Sequence, residues 1–135
     1  MDYHVVTLTL EHMKKKIQNM YGGKLPQSAR EYNVVINGNK VRGIADHFVI
    51  INGKKTAIEA KYVDDWSKSL RNPESSIGRA PFAIKEQQTM LAQAQKYSVA
   101  FDNVIYHTNS SELAAHYSAI FKNAGLNNIS FKVIP

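Results

Sequence analysis

The chain has 135 residues, enough for one domain that buries roughly 65–70% of the surface exposed by the unfolded chain. It contains no cysteine, which excludes disulfides, thiolate metal sites and cysteine nucleophiles, and no segment approaches the roughly 18 consecutive apolar residues of a membrane-spanning helix. The formal charge of +6 favours an anionic partner, because clustered lysines and arginines attract phosphates. We therefore expect a single domain over residues 1–135, consistent with the C-terminal domain of a longer protein.

The first predicted element is an amphipathic helix that ends at Gly22-Gly23. The lysines at 14–16 fall on the solvent face of this helix. The apolar residues recur at alternating spacings of four and three, as on one helix face, and are Val6, Leu10, Met13, Ile17 and Met20.

The next segment carries the pattern of a three-stranded antiparallel meander. Asn37-Gly38 and Asn52-Gly53 are typical of tight hairpin turns, because both residue types tolerate a positive φ. These turns separate three predicted strands, at residues 33–36, 40–51 and 54–63.

Residues 64–80 lose periodicity and gather Ser, Asn, Pro and Gly, which predicts a long basic surface loop. Pro81 suits the first turn of a helix. A capping signal at Asn109 and Glu112 predicts the start of a second helix, which ends at Gly125. The first of these helices is predicted at 81–99, and two further strands at 104–107 and 129–134. The strand-helix-strand unit requires a parallel crossover, whereas the meander is antiparallel. The fold class is therefore α/β, with a mixed β-sheet flanked by helices in the order α-β-β-β-α-β-α-β.

Three charged residues of the meander are predicted to lie together. Alternation along the strand at 54–63 places Glu59 and Lys61 on the same face. The turn at Asn52-Gly53 sets an antiparallel register in which residue 46 lies opposite residue 59. Asp46 is therefore expected beside Glu59 and Lys61.

This cluster has the chemistry of a metal-dependent phosphodiesterase. Two neighbouring carboxylates repel each other, so a divalent cation between them is favoured. Oxygen ligands from Asp46, Glu59 and the main-chain carbonyl of Ala60 suit Mg²⁺ or Mn²⁺, which lowers the pKa of the water that attacks phosphorus. Lys61 then serves as the base or as a stabiliser of developing charge. The alternative is a solvent-exposed Glu59–Lys61 pair worth only about 0.2–1 kcal/mol.

Two further cations are candidates for binding substrate. Arg79 lies in the predicted basic loop and Lys85 lies in the first turns of the helix that follows it. Both are placed to contact phosphates, an interaction that does not depend on base sequence. The alternative for both residues is a solvated surface position.

The segment Gly43-Ile-Ala-Asp46, followed after a hairpin by Ile58-Glu59-Ala60-Lys61, resembles the PD-(D/E)XK nuclease superfamily. Ala45 stands where many members have proline. The predicted element order is similar to the common core of that superfamily, so the resemblance implies a restriction-endonuclease-like fold. In many members an additional acidic residue upstream helps to bind the metal, a role for which Glu11 and Glu31 are the candidates here.

A second match concerns Gln93 and Tyr97, which fit the Gln-x-x-x-Tyr motif of one branch of the superfamily. Residues four apart share a face of a helix. The resemblance implies that both side chains contact the site or the substrate backbone. The alternative is an ordinary stripe of a glutamine-rich helix.

The short, cysteine-free chain resembles the toxin domain of a bacterial polymorphic or contact-dependent inhibition toxin. This resemblance implies delivery as part of a larger secreted protein, action in the cytoplasm of a target bacterium, and an acidic cognate immunity protein. The sequence thus predicts a Mg²⁺-dependent endonuclease that cleaves DNA. A tRNA-cleaving RNase of the same fold and a non-catalytic nucleic-acid-binding module are the alternatives.

Overall fold

The computed structural model describes residues 9–134. Among these residues, one 3₁₀ turn spans Trp66–Lys68. The helices and strands in chain order are α1 (Leu10–Met20), α2 (Gln27–Arg30), β1 (Glu31–Ile36), β2 (Asn39–Ile44), β3 (His47–Ile51), β4 (Lys54–Lys61), α3 (Pro81–Ala100), β5 (Asn103–Thr108), α4 (Ser111–Asn123) and β6 (Ile129–Val133).

The larger sheet has four strands in the order β3-β4-β5-β6. The hairpin of β3 and β4 is antiparallel, with Asn52 and Gly53 at φ values of 52° and 79° in its turn. The pairs β4–β5 and β5–β6 are parallel, and their connections carry α3 and α4. The predicted α/β class, with a mixed sheet flanked by helices, is confirmed.

The predicted three-stranded meander is wrong, because the strand expected at 40–51 divides at Ala45-Asp46. Its first half, β2, pairs with β1 in a separate two-stranded sheet, and its second half is β3. Ala45 N donates a hydrogen bond to Arg30 O at 2.9 Å, which extends the β1–β2 register by one pair, so Ala45 stays with the two-stranded sheet and β3 begins only at His47. The four-residue helix α2, which follows Pro26, is an element that the sequence pattern did not predict.

One predicted helix start is wrong, and the other prediction lies partly outside the described residues. The first helix begins at Leu10, with the Thr9 side chain accepting from His12 N at 3.2 Å, and the predicted residue Val6 lies outside the described residues. The last helix is capped by Ser110, whose Oγ accepts from Leu113 N at 3.0 Å. Asn109 instead binds both main-chain polar groups of Val63. Its predicted capping role is therefore wrong.

The four-stranded sheet packs on both faces. Ala57 of β4 belongs to a core cluster with Met90, Tyr97 and other residues of α3 and α4. Ile58, on the opposite face, packs with Met13 and Ile17 of α1. The predicted division of β4 into two faces is confirmed, and Glu59 lies on the face that α3 covers. No described helix combines the length and apolarity needed to cross a membrane.

The predicted surface loop at 64–80 is folded onto the core by Arg71. Its Nε lies 3.1 Å from Glu86 Oε1, its Nη1 donates to Tyr62 O at 3.2 Å, and its own carbonyl accepts from the Tyr117 hydroxyl. These contacts give Arg71 a structural role that orders the loop.

Gly78 provides a test of how tightly this loop is packed. A Cβ at this position would overlap the main-chain oxygens of Asn72 and Pro73, which cannot rotate away as a flexible side chain can. We expect Gly78→Ala to lower the free energy of unfolding by about 1–3 kcal/mol, measured by urea denaturation. Ser76→Ala, an exposed change in the same loop, is the control and should have little effect. Equal stability of the two variants would contradict the described packing.

Candidate active site

The β3–β4 hairpin brings Asp46 and Glu59 together. The last pair of its ladder is His47 with Ile58, so the next position outward places residue 46 opposite residue 59. This is the register predicted from the turn at Asn52-Gly53. Beyond that pair, β4 continues to Lys61, and among residues 9–134 its strand neighbour there is β5 alone. The edge of β4 is therefore open where its charged residues lie.

Glu59 is a buried carboxylate, with 3% of its surface exposed. Its Oε2 accepts from the Tyr97 hydroxyl at 3.2 Å, and its Oε1 lies 3.3 Å from Lys61 Nζ. The Glu59 and Lys61 side chains are 4% and 13% exposed, so the alternative of a solvent-exposed pair is wrong. Helix α3 covers Glu59 by placing Tyr97 against its carboxylate.

Burial raises the pKa of Glu59 to about 7. Lys61 lowers this pKa by charge and by hydrogen bonding, and Asp46 raises it in both ways. Burial and Asp46 together outweigh the lysine. Protonated and ionised Glu59 are therefore both well populated near neutral pH, and a cation near both carboxylates would favour the ionised form.

Asp46 is exposed, and its main chain is held by Arg30. Arg30 Nη1 donates to Ala45 O at 2.7 Å and to Asp46 O at 3.4 Å, while Nε donates to Leu25 O at 3.3 Å. The guanidinium thus fixes the break between β2 and β3 at which Asp46 stands. Sequence reasoning missed Arg30, because its role depends on a contact across fifteen residues.

Tyr97 and Gln93 of α3 have different neighbours. Tyr97 contacts the Glu59 carboxylate and packs edge-on against Tyr32, with ring centroids 5.9 Å apart. Gln93 instead accepts from the Tyr106 hydroxyl at 3.0 Å. Burial, and next the charge of Glu59, raise the pKa values of both tyrosines above the usual range, so both hydroxyls remain donors. Of the two motif residues, Tyr97 reaches the carboxylate directly.

Tyr97→Phe tests the support given to Glu59. Hydrogen bonds to charged groups contribute about 1.5–3 kcal/mol and neutral ones about 0.5–1.5 kcal/mol. We therefore expect the variant to lose more stability above pH 7, where Glu59 is ionised, than toward pH 4.5, as measured by urea denaturation without metal. Tyr32→Phe, which removes the hydroxyl of the ring packed on Tyr97, is the control. A loss independent of pH would contradict the role of Tyr97.

Asp46 and Glu59 are among the residues that line a cavity of about 190 Å³, which residues of α1 and β4 also line. This is room for several water molecules, since one needs roughly 10–15 Å³. Lys14 is half-buried in its wall, so its predicted place on the solvent face of the helix is wrong. The lining residues are Lys14, Ile17, Gln18, Lys24, Arg30, Asp46, His47, Ile58, Glu59 and Ala60.

The other predicted substrate and metal candidates lie away from this cavity. The Arg79 side chain is 84% exposed and lies 3.7 Å from Glu74. Lys85 is exposed on α3. Glu11 is exposed on α1, and Glu31 is exposed and accepts from Gln27. None of these four predicted residues lines the cavity.

The donor set of the cavity suits a hard divalent cation. Among residues 9–134, no group of three or more His, Cys, Asp or Glu is arranged to hold a metal. Mg²⁺, however, commonly takes only one or two carboxylates, several waters and substrate phosphates. The adjacent carboxylates of Asp46 and Glu59, with Ala60 lining the same cavity, fit that pattern.

The arrangement therefore combines the adjacent carboxylates of Asp46 and Glu59, the ammonium of Lys61 on the same strand as Glu59, and a cavity lined by cationic side chains. Its chemistry is that of a site that can bind a divalent cation and an anion side by side. Comparisons with protein-family models, with curated proteins and with solved structures found no match to this chain.

Proposed function

We propose that this protein is a metal-dependent nuclease that hydrolyses phosphodiester bonds in nucleic acids. The observation that carries the proposal is the buried Glu59 carboxylate, which contacts Tyr97 and Lys61 and adjoins Asp46 at a cationic cavity. Carboxylates are rarely buried without a partner, and strongly shifted pKa values in clefts cluster at functional sites. The restriction-endonuclease-like assignment of the fold is part of this proposal.

Asp46 and Glu59 would hold Mg²⁺ or Mn²⁺, with the Ala60 carbonyl as a further ligand. The bound ion supplies acidification of the attacking water and neutralisation of the phosphate charge. Tyr97 holds one oxygen of Glu59 and so fixes the orientation of the carboxylate. Arg30 fixes the main chain of Asp46.

Lys61 would act on the charge that develops at phosphorus. It shares a strand face with Glu59, and its ammonium lies 3.3 Å from the Glu59 carboxylate. A preorganised cation in a site with little water stabilises a transition state without reorganisation. The ion pair with Glu59 favours the protonated form of Lys61, which can stabilise negative charge but cannot accept a proton as a base.

We propose DNA as the substrate, and the chain as a toxin domain that is delivered within a larger protein and blocked by an acidic immunity protein. The resemblance of residues 43–61 to the nuclease superfamily and the net charge of +6 support this assignment. A basic surface binds DNA and an acidic protein by the same electrostatics.

Incubation of the purified protein with plasmid DNA and with total tRNA, in magnesium, manganese or EDTA, tests the function. We expect cleavage of DNA with either metal and none in EDTA. Glu59→Gln should be inactive, whereas Glu74→Gln, which removes a mostly exposed carboxylate, should be active. Cleavage of tRNA alone would show that the substrate is RNA and not DNA. Binding without cleavage of either polymer would overturn the enzyme assignment.

A further inference from the structure

Helix α1 forms the cavity wall that faces β4. Its apolar side packs toward β4 through Met13 and Ile17. Lys14 is half-buried and lines the cavity, whereas Lys15 and Lys16 are exposed and do not line it. One lysine of the run at 14–16 is therefore set apart from its neighbours by position.

Lys24 reaches the same cavity from the segment after α1. Gly22 and Gly23 adopt φ values of 91° and 96°, a conformation that favours glycine. Gly23 N donates to Gln18 O at 2.7 Å, which closes the end of the helix. This turn carries the chain to the cavity that Lys14 also lines.

The charged side chains that line the cavity have a net positive charge, which favours binding of an anion. Three cationic side chains, Lys14, Lys24 and Arg30, face two carboxylates, so the lining is positive by one charge even when both acids are ionised. A bound divalent cation would raise that excess to three. Arg30 already donates to main-chain carbonyls, whereas neither lysine forms an ion pair within residues 9–134.

We propose that Lys14 and Lys24 bind a backbone phosphate of the nucleic acid, on the α1 side of Asp46 and Glu59. This inference rests on the proposed nuclease function and adds the path of the substrate backbone, between α1 and the open edge of β4. A lysine ammonium binds phosphate as a point charge. Such contacts position the nucleic acid without reading its bases, so binding here does not depend on sequence.

Binding of a fluorescently labelled DNA duplex in EDTA, at several salt concentrations, tests this site without requiring catalysis. Lys14→Gln and Lys24→Gln keep most of the aliphatic stem and should each reduce the slope of log K against log salt by about one, for two unrelated duplex sequences. Lys14→Arg should restore the slope. Lys15→Gln removes the same charge from the exposed side of α1 and should leave the slope unchanged.

Unchanged slopes in Lys14→Gln and Lys24→Gln would overturn the proposal, as would an equal reduction in Lys15→Gln. Thermal unfolding of each variant identifies any that fails to fold. If Lys14→Gln fails to fold, the slope of Lys14→Arg is compared with that of the unaltered protein. Failure of the nuclease function would be seen separately, as no cleavage with either metal while the pattern of slopes is as expected. The phosphate site would then stand as a binding site.

Discussion

Glu59→Gln is expected to abolish cleavage and to stabilise the metal-free fold. The pKa of Glu59 is about 7 in the folded chain against an ordinary value of 4.5, so ionisation is costly only after folding. The resulting loss of stability develops as the pH rises from 4.5 to 7 and reaches about 3 kcal/mol above that range. Glutamine has nearly the same shape and no charge, so the variant avoids this loss.

Urea denaturation in EDTA across this pH range measures the effect. Glu59→Gln should exceed the unaltered protein in stability above pH 7 and match it toward pH 4.5. Magnesium should stabilise the unaltered protein and not the variant, because ligands stabilise only the state that binds them. Cleavage should fall by at least about 100-fold, since even partners of metal ligands contribute 10–100-fold. A variant that cleaves normally, or that is less stable above pH 7, would contradict the roles given to Glu59.

Lys61→Met is expected to lower cleavage to a similar extent and to change stability in the opposite direction. Methionine keeps the apolar stem but leaves Glu59 without its counter-ion at 3.3 Å. Because Lys61 lowers the pKa of Glu59, its removal raises that pKa further and weakens the fold above pH 7. The expected loss lies between the ~1 kcal/mol of an exposed pair and the roughly 3–5 kcal/mol of a buried one.

The double variant of Glu59→Gln and Lys61→Met separates the two contributions. If the single change at Lys61 acts through the carboxylate, the loss of stability should largely disappear when Glu59 is already glutamine. Cleavage by Lys61→Met should fall on the order of 10²–10³-fold, as for other groups that stabilise transition-state charge. Lys68→Met, in the 3₁₀ turn outside the cavity, is the control. Additive losses of stability in the double variant would show that Lys61 supports the fold independently of Glu59.

The register of the site could be predicted because two local signals determine it. Asn52-Gly53 favours a two-residue turn, and alternation along β4 then assigns every side chain to a face. The division of the strand expected at 40–51 could not be predicted in this way. It depends on Arg30, which binds the carbonyls at 45 and 46 from another element.

Burial was harder to predict than position. The side chain of Glu59 becomes inaccessible because α3 packs over its face of the sheet and places Tyr97 against it. A run of three lysines predicts a solvent-exposed face of a helix. The packing of Met13 and Ile17 nevertheless turns Lys14 toward the cavity. The burial of Glu59 and the orientation of Lys14 both depend on how the helices dock on the sheet. A local stretch of sequence does not specify that docking.

The open edge of β4 beyond its last pair with β3 has a second consequence, for solubility. Unpaired strand segments can recruit another chain and begin aggregation, and proteins commonly guard them with charges, lysine above all. Here the guarding residues would be Glu59 and Lys61 themselves, at the last positions of β4. The groups proposed for chemistry would thus also keep separate chains from joining edge to edge, so neutralising both at once removes a safeguard against self-association.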